Sequence, residues 1–336
     1  MTDNRRRNAV NTLSTLRYLV PVALSLAAAA PQAAAQAYPA KPVRIVIPFP
    51  PASGADILAR AVAAKLSERS GQPVLVDPRP GGSGIVAADV VLKAPADGYT
   101  LMVGTSSTHA ISLSIRRNLP YHPVRDFMPI SKIAVVPMLM TVHPSVPVKN
   151  AREVIAFARA RPGQLSFATA GNGTTGHLAG ELFKSMARVD ILHVAYRGSP
   201  QALVETVAGQ VSMAISPILT SLPQVQAGRL RALAVTTPRP SASAPDVPPL
   251  AVAAGLPGYE ATLWYGLFAP AGTPQEITTR LSAEVVAILA LSDVGESLKK
   301  QGAEPEGMTP DQFGAYQQSE IAKWAKVVKE SGATVN

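Results

Sequence analysis

Residues 164–183 read QLSFATAGNGTTGHLAGELF, and this stretch decides the fold. Apolar side chains alternate at Leu165 and Phe167, then stop at Gly171-Asn172-Gly173-Thr174-Thr175-Gly176. An amphipathic pattern begins at His177 and Leu178. The order is strand, small-residue loop, helix. Glycine lets the backbone approach a ligand closely, and a helix N-terminus presents unpaired N–H groups and the positive end of the macrodipole. A loop built this way holds an anion, either a carboxylate or a phosphate.

Working outward, strand-like runs alternate with helical ones. The apolar run at 43–47 is followed by the turn 48–54 and by a helix with apolar residues at Ile57, Leu58, Ala61, Val62 and Leu66, a period near 3.6. A second strand at 74–76, a glycine-rich turn at 81–84, a helix over 85–93 and a third strand at 100–103 complete a βαβαβ order, which favours a parallel sheet covered by helices. A second cycle starts with a helix over 151–160, stopped by Pro162-Gly163. Strands follow around Phe167, at 191–194, 211–215 and 230–235, with a helix over 200–208. Prolines 238, 240, 245, 248 and 249 mark a stiff loop. An extended segment over 259–268 and helices over 274–291, 293–301 and 310–330 close the chain. Two α/β cycles with strand and helix material left over predict two lobes, with crossings near 137–141 and 258–264. A single larger α/β domain is the alternative. Loops at the carboxyl ends of the strands converge on the cleft between lobes, the natural ligand site.

The N-terminal residues predict the compartment. Arg5, Arg6, Arg7 and Arg17 precede or flank a short apolar stretch over 19–30 that contains Pro21, and A-x-A sites follow. This is the pattern of a secretory signal peptide over 1–37, cleaved after Ala37, and not of a membrane span. The apolar residue usual in a twin-arginine signal is missing, so general secretion is expected. No cysteine is present, which excludes a disulfide framework and a lipid-modified cysteine. The expected product is a free monomer, periplasmic in a Gram-negative source. The net charge of +9 includes four arginines and one aspartate within 1–37, a contribution of +3, so +6 remains. No basic run is interleaved with aromatic residues, which argues against a nucleic-acid partner. Apolar residues make up 47% of the chain, enough for well-filled cores.

Several phrases together resemble one family. They are Tyr38-Pro39-Ala40-Lys41-Pro42-Val43-Arg44, Pro48-Phe49-Pro50-Pro51, Pro78-Arg79-Pro80-Gly81, Asp97-Gly98-Tyr99-Thr100, Gly173-Thr174-Thr175-Gly176-His177-Leu178-Ala179-Gly180-Glu181, Ala195-Tyr196-Arg197-Gly198, the run from Ala227 to Val235, and Ala269-Pro270-Ala271-Gly272-Thr273-Pro274. In this order they resemble the substrate-binding proteins of tripartite tricarboxylate transporters, also called Bug receptors. The resemblance implies a two-lobed α/β periplasmic binding protein, type II-like, each lobe a mostly parallel sheet flanked by helices. Lobe 1 would take residues 38–139 and 262–336, and lobe 2 residues 140–261. It further implies a receptor that closes on a small carboxylate and delivers it to a membrane permease, with no cofactor.

In the family, the loop after the first strand and the second glycine loop pinch the ligand carboxylate through backbone amides, hydroxyls and water. Here these loops span residues 49–56 and 170–177. Ligand contacts are therefore expected from Phe49, Ser53 and Asp56 in the first, and from Ala170, Asn172, Gly173, Thr174, Thr175 and His177 in the second. Ser106 and Thr108, after the third strand, are expected pocket hydroxyls, and Tyr196 an expected pocket wall. Two departures stand out. Family members usually read Pro-Pro-Gly-Gly where this chain has Pro50-Pro51-Ala52-Ser53, and many carry an aspartate where Ser216 stands.

Each candidate also has a purely structural reading. Ser53 and Asp56 fit a capping box, with Asp56 reaching back. If Asp56 reaches the ligand instead, it selects an ammonium or amide donor, as in an amino acid, and repels a fully anionic di- or tricarboxylate. Thr174 and Thr175 fit the cap and first turn of a helix, and Asn172 fits a left-handed backbone. His177 sits where the helix dipole disfavours a protonated ring, which suits a neutral packing residue. Ser106 and Thr108 equally suit a polar loop. Arg197 reads as a solvated charge and Trp264 as packing between lobes.

Other functions fit less well. Gly171-x-Gly173-x-x-Gly176 meets the dinucleotide fingerprint, but Tyr196-Arg197 stands where its acid is needed. The five histidines are dispersed, no H-E-x-x-H pair or G-x-S-x-G elbow is present, and nothing calls for a metal or a nucleophile. A sensor that reports to a membrane signalling protein would share the same cleft.

Overall fold

The near-continuous apolar run after Pro42 forms β1 (Val43–Ile47), buried except at Arg44, as a strand covered on both faces requires. The computed structural model describes residues 38–335, so the expected signal peptide lies outside the described residues. From Lys41 onward the chain forms one unit. After β1 come α1 (Gly54–Ser70), β2 (Val74–Pro78), α2 (Ile85–Leu92) and β3 (Thr100–Thr105). A π-helical turn, Ser107–Ile111, then runs into the short α3 (Ser112–Ile115). β4 (Phe127–Val136) and β5 (Met138–Val142) follow with only Pro137 between them. The second cycle comprises α4 (Ala151–Ala160), β6 (Ser166–Thr169), α5 (Thr175–Ala187), β7 (Leu192–Ala195), α6 (Ser199–Val207), β8 (Met213–Pro217), α7 (Ile218–Gln226) and β9 (Arg231–Val235). The chain ends with α8 (Leu250–Ala253), β10 (Leu263–Pro270), α9 (Gln275–Leu289), α10 (Ser292–Lys300), β11 (Glu304–Pro305) and α11 (Pro310–Ser331).

The strands form two sheets flanked by helices. One has the order β11-β4-β10-β3-β1-β2 and the other β7-β6-β8-β5-β9. The α/β fold with two mostly parallel sheets is as expected. Most strands of each sheet run one way, β1, β2, β3 and β4 in the first and β6, β7, β8 and β9 in the second; β10 and the short β11 run against the first set, and β5 runs against the second. β4 and β5 meet at Pro137, where the chain passes from the first sheet to the second.

The same segment holds the largest difference from the sequence reading, which leaves 137–141 as a crossing and assigns no strand before it. Residues 127–142 are apolar almost throughout, but Pro129 and Pro137 interrupt the run. Pro137 has no N–H to give a ladder, so it ends one strand and begins the next. Its carbonyl instead accepts the Ile218 N–H at 2.9 Å.

Two glycines let α5 lie close to its sheet. A Cβ on Gly180 would fall 2.1 Å from the Phe167 ring, and one on Gly176 would fall 2.6 Å from the Ile215 carbonyl oxygen. Trp264 packs within the first sheet's core, edge-on to Phe313 at 5.6 Å. Its indole N–H and that of Trp324 both donate to the buried Glu320 carboxylate at 3.1 Å.

Candidate functional site

The turn 48–53 follows β1 and the loop 170–174 follows β6, so both lie at strand carboxyl ends and each opens a long helix. Ser53 caps α1 by accepting the Asp56 N–H, and Thr174 caps α5 by accepting the His177 N–H. Short hydroxyl side chains in extended conformation are suited to this role. The two helix N-termini face one small cavity of about 30 Å³, walled by Phe49, Ser53, Gly54, Ser107, Met138, Ala170, Thr174, Thr175, Gly176, Ser199, Pro217, Leu263 and Tyr265. Such a volume admits a group about the size of a carboxylate, or one or two waters.

The cavity is rich in donors. Among the described residues the N–H groups of Gly54 and Gly176, each in the first turn of its helix, have no acceptor. Tyr265, only 3% exposed, makes no hydrogen bond through its hydroxyl among the described residues, and that hydroxyl lies so close to Gly54 that a Cβ there would be 2.5 Å from it. Burial pushes the Tyr265 pKa up, so the phenol keeps its proton and remains a donor. Among the described residues no charged side chain lines this cavity. Two helix dipoles and several free donors around uncharged walls make a site for an anion.

Hydroxyls tie the two sheets together beside it. The Ser106 Oγ lies 2.7 Å from the Thr175 Oγ1, the Ser107 Oγ lies 3.2 Å from the same atom, and the Thr175 N–H donates to the Ser107 Oγ at 3.1 Å. A second bridge joins the turn before α2 to the glycine loop, where the Ser83 hydroxyl donates to the Asn172 carbonyl at 2.6 Å.

The structure brings only some of the expected residues to this cavity. Phe49, Ser53, Ala170, Thr174 and Thr175 line it. Ser106 stands behind it, bonded to Thr175. Thr108 is turned into the protein, where its Oγ1 accepts the Thr105 N–H and meets the His109 Nδ1 at 2.8 Å. Asp56 is likewise occupied: its carboxylate accepts the Ala52 N–H at 2.9 Å and pairs with Arg60 at 2.8 Å. It reaches back as the capping pattern predicts, but to Ala52 rather than to the cap residue. The case for an amino-acid ligand, which required Asp56 in the pocket, loses its support. Gly173 donates its N–H to the His177 Nδ1 at 3.2 Å, so His177 shapes the loop from within. His177 stacks on His193 at 4.2 Å, and burial, then the nearby Lys184, lowers its pKa to about 4. The ring is therefore neutral at ordinary pH. Asn172 and Tyr196 line a separate, larger cavity of about 820 Å³ that also has Phe49 and Ala170 in its wall.

Comparison with known proteins decides the kinship. Residues 58–333 match the model of the tripartite tricarboxylate transporter family receptor. The chain belongs to this family. A curated relative of this receptor, a UPF0065 protein in the tcbD-tcbE intergenic region of Pseudomonas sp. strain P51, is 38% identical over 321 residues, covering 95% of each chain. Among solved structures, R. palustris Rpa4515 with adipate is 41% identical with a TM-score of 0.86, covering 88% of this chain and 99% of that one. MatC from Rhodopseudomonas palustris with bound malate is 33% identical with a TM-score of 0.82, covering 87% and all of the respective chains. The family consists of periplasmic solute receptors. Gly176, the last glycine of the fingerprint-like loop in this receptor, permits close helix–sheet packing.

Sequence reasoning misses several residues that wall the receptor's inner cavity. Ser107, between the two expected hydroxyls, opens the π-helical turn and lines the cavity. Met138, Pro217 and Leu263 come from the sheet ends around Pro137 and from β10, and Ser199 from the start of α6. Tyr265 had no local signal at all. Ser216, where many members carry aspartate, is 1% exposed, and its hydroxyl has no hydrogen-bond partner among the described residues.

Proposed function

We propose that this receptor binds a small carboxylate-bearing organic acid between its two halves and delivers it to the membrane permease of a tripartite tricarboxylate-type transporter. One observation carries the reading: two helix N-termini from different sheets, with the free N–H groups of Gly54 and Gly176 and the unpaired Tyr265 hydroxyl, converge on one uncharged cavity. Neighbours carrying adipate and malate support the carboxylate class. Residues 38–139 with 262–336 act as one lobe and 140–261 as the other, moving about the strands at Pro137 and near residue 261. A ligand that contacts both helix ends favours the closed arrangement, because the open one offers half the contacts.

Titration calorimetry of the protein lacking residues 1–37 against a panel of organic acids and amino acids tests this. One-to-one binding of at least one organic acid is expected, together with its loss in Thr175→Trp, which fills the cavity. Binding confined to amino acids or to uncharged solutes contradicts it.

A further inference from the structure

Resting on that carboxylate reading, we infer that Arg116 and Arg197 form a second anion subsite at the outer end of the cleft, so that the receptor selects acids with two anionic groups. The inner cavity, about 30 Å³, holds one carboxylate group and not a whole metabolite. The rest of the ligand must extend outward, and the outer cavity of about 820 Å³ shares Phe49 and Ala170 with the inner one. Among the described residues, two guanidinium groups line this outer space and no carboxylate side chain does. Among the described residues the Arg197 guanidinium makes no hydrogen bond or ion pair, and that of Arg116 donates only to the Gly82 carbonyl, at 3.2 Å. Neither pairs with a described carboxylate. Two unpaired guanidiniums facing one cavity attract an anion and repel the ammonium of an amino acid, and their planar forks match a carboxylate.

The geometry assigns the two ends of the ligand different chemistry. Backbone amides and hydroxyls hold the inner carboxylate, and exposed positive charge holds the outer one. Attraction at the outer end therefore weakens with salt, while the inner contacts are better shielded.

The test compares adipate with hexanoate, which has the same carbon count and one charge, by calorimetry at low and high salt. Adipate is expected to bind at least about tenfold tighter, and Arg116→Gln and Arg197→Gln are each expected to bring the affinity ratio toward one. Arg197→Gln removes a side chain with no hydrogen-bond or ion-pair partner among the described residues, so it keeps the test valid if Arg116→Gln disturbs the Gly82 turn. Equal affinity for the two acids, or a ratio unmoved in Arg197→Gln, overturns the second subsite and leaves the inner carboxylate site standing. If no mono- or dicarboxylate binds, the carboxylate reading fails along with it.

Discussion

The Thr175 amide N–H donates to the Ser107 Oγ at 3.1 Å, joining the first turn of α5 in one sheet's layer to the end of β3 in the other. The serine oxygen accepts from a helix N-terminus, as a ligand carboxylate oxygen would. The Thr175 hydroxyl, 1% exposed, meets Ser106 and Ser107 at the same junction. The helix end, the cavity wall and the contact between halves are therefore one structure.

Thr175→Val keeps the shape and the N–H but deletes the hydroxyl. Ligand affinity is expected to fall about tenfold, the effect of one hydrogen bond to a charged group. Calorimetry alongside thermal melting checks this, and a lost fold with unchanged affinity per folded molecule would refute it.

Gly54 and Tyr265 make a second test. A Cβ at residue 54 would sit 2.5 Å from the Tyr265 hydroxyl. Gly54→Ala is expected to displace that ring, costing about 1–3 kcal/mol of stability and most of the binding. Adding Tyr265→Phe removes the clashing oxygen and is expected to restore the melting temperature without restoring affinity. Additive losses of stability in the double variant would show that the two residues do not compete for space.

Ala52 holds a left-handed backbone with φ of 61°, where family members usually have glycine. Such a conformation costs about 1–2 kcal/mol for a residue with a Cβ. Ala52→Gly is therefore expected to stabilise the protein by about 0.5 kcal/mol, once glycine's greater freedom in the unfolded chain is subtracted. Urea denaturation measures it; a lower midpoint would mean that the turn is not strained.

Acid should weaken the second glycine loop. Burial and then Lys184 lower the His177 pKa from 6.5 to about 4, and burial, His177 and Lys184 lower that of His193 to about 3. Both native pKa values lie below the unfolded value, so in this window the unfolded chain binds more protons. Stability is complete above about pH 6.5 and is lost progressively as pH falls toward 4. Protonation would also remove the acceptor for the Gly173 N–H. The melting temperature is expected to fall over this range, less steeply in His177→Gln; parallel curves for the two proteins would contradict the assignment.

What the sequence reveals and hides follows from how far each feature reaches along the chain. The helix caps at Ser53 and Thr174 are legible because cap and first turn are adjacent, and the strand–loop–helix order around Gly171 exposes the second loop. Asp56 is ambiguous for the same reason: its short reach satisfies either a ligand or its neighbours, and Arg60 one turn later decides. Ser107 is concealed because the family resemblance points to its neighbours Ser106 and Thr108, and only the π-helical turn after β3 brings Ser107 to the cavity. Tyr265 is invisible locally. Its place at the cavity depends on β10 inserting between β3 and β4, a pairing of segments more than 120 residues apart that no periodicity announces.

The most direct measurement is a crystal structure of the protein with the tightest organic acid from the panel. One carboxylate of that acid is expected between the two helix ends, accepting from the Gly54 and Gly176 N–H groups and the Tyr265 hydroxyl. A ligand bound elsewhere, or one whose carboxylate contacts only one helix end, would contradict the account.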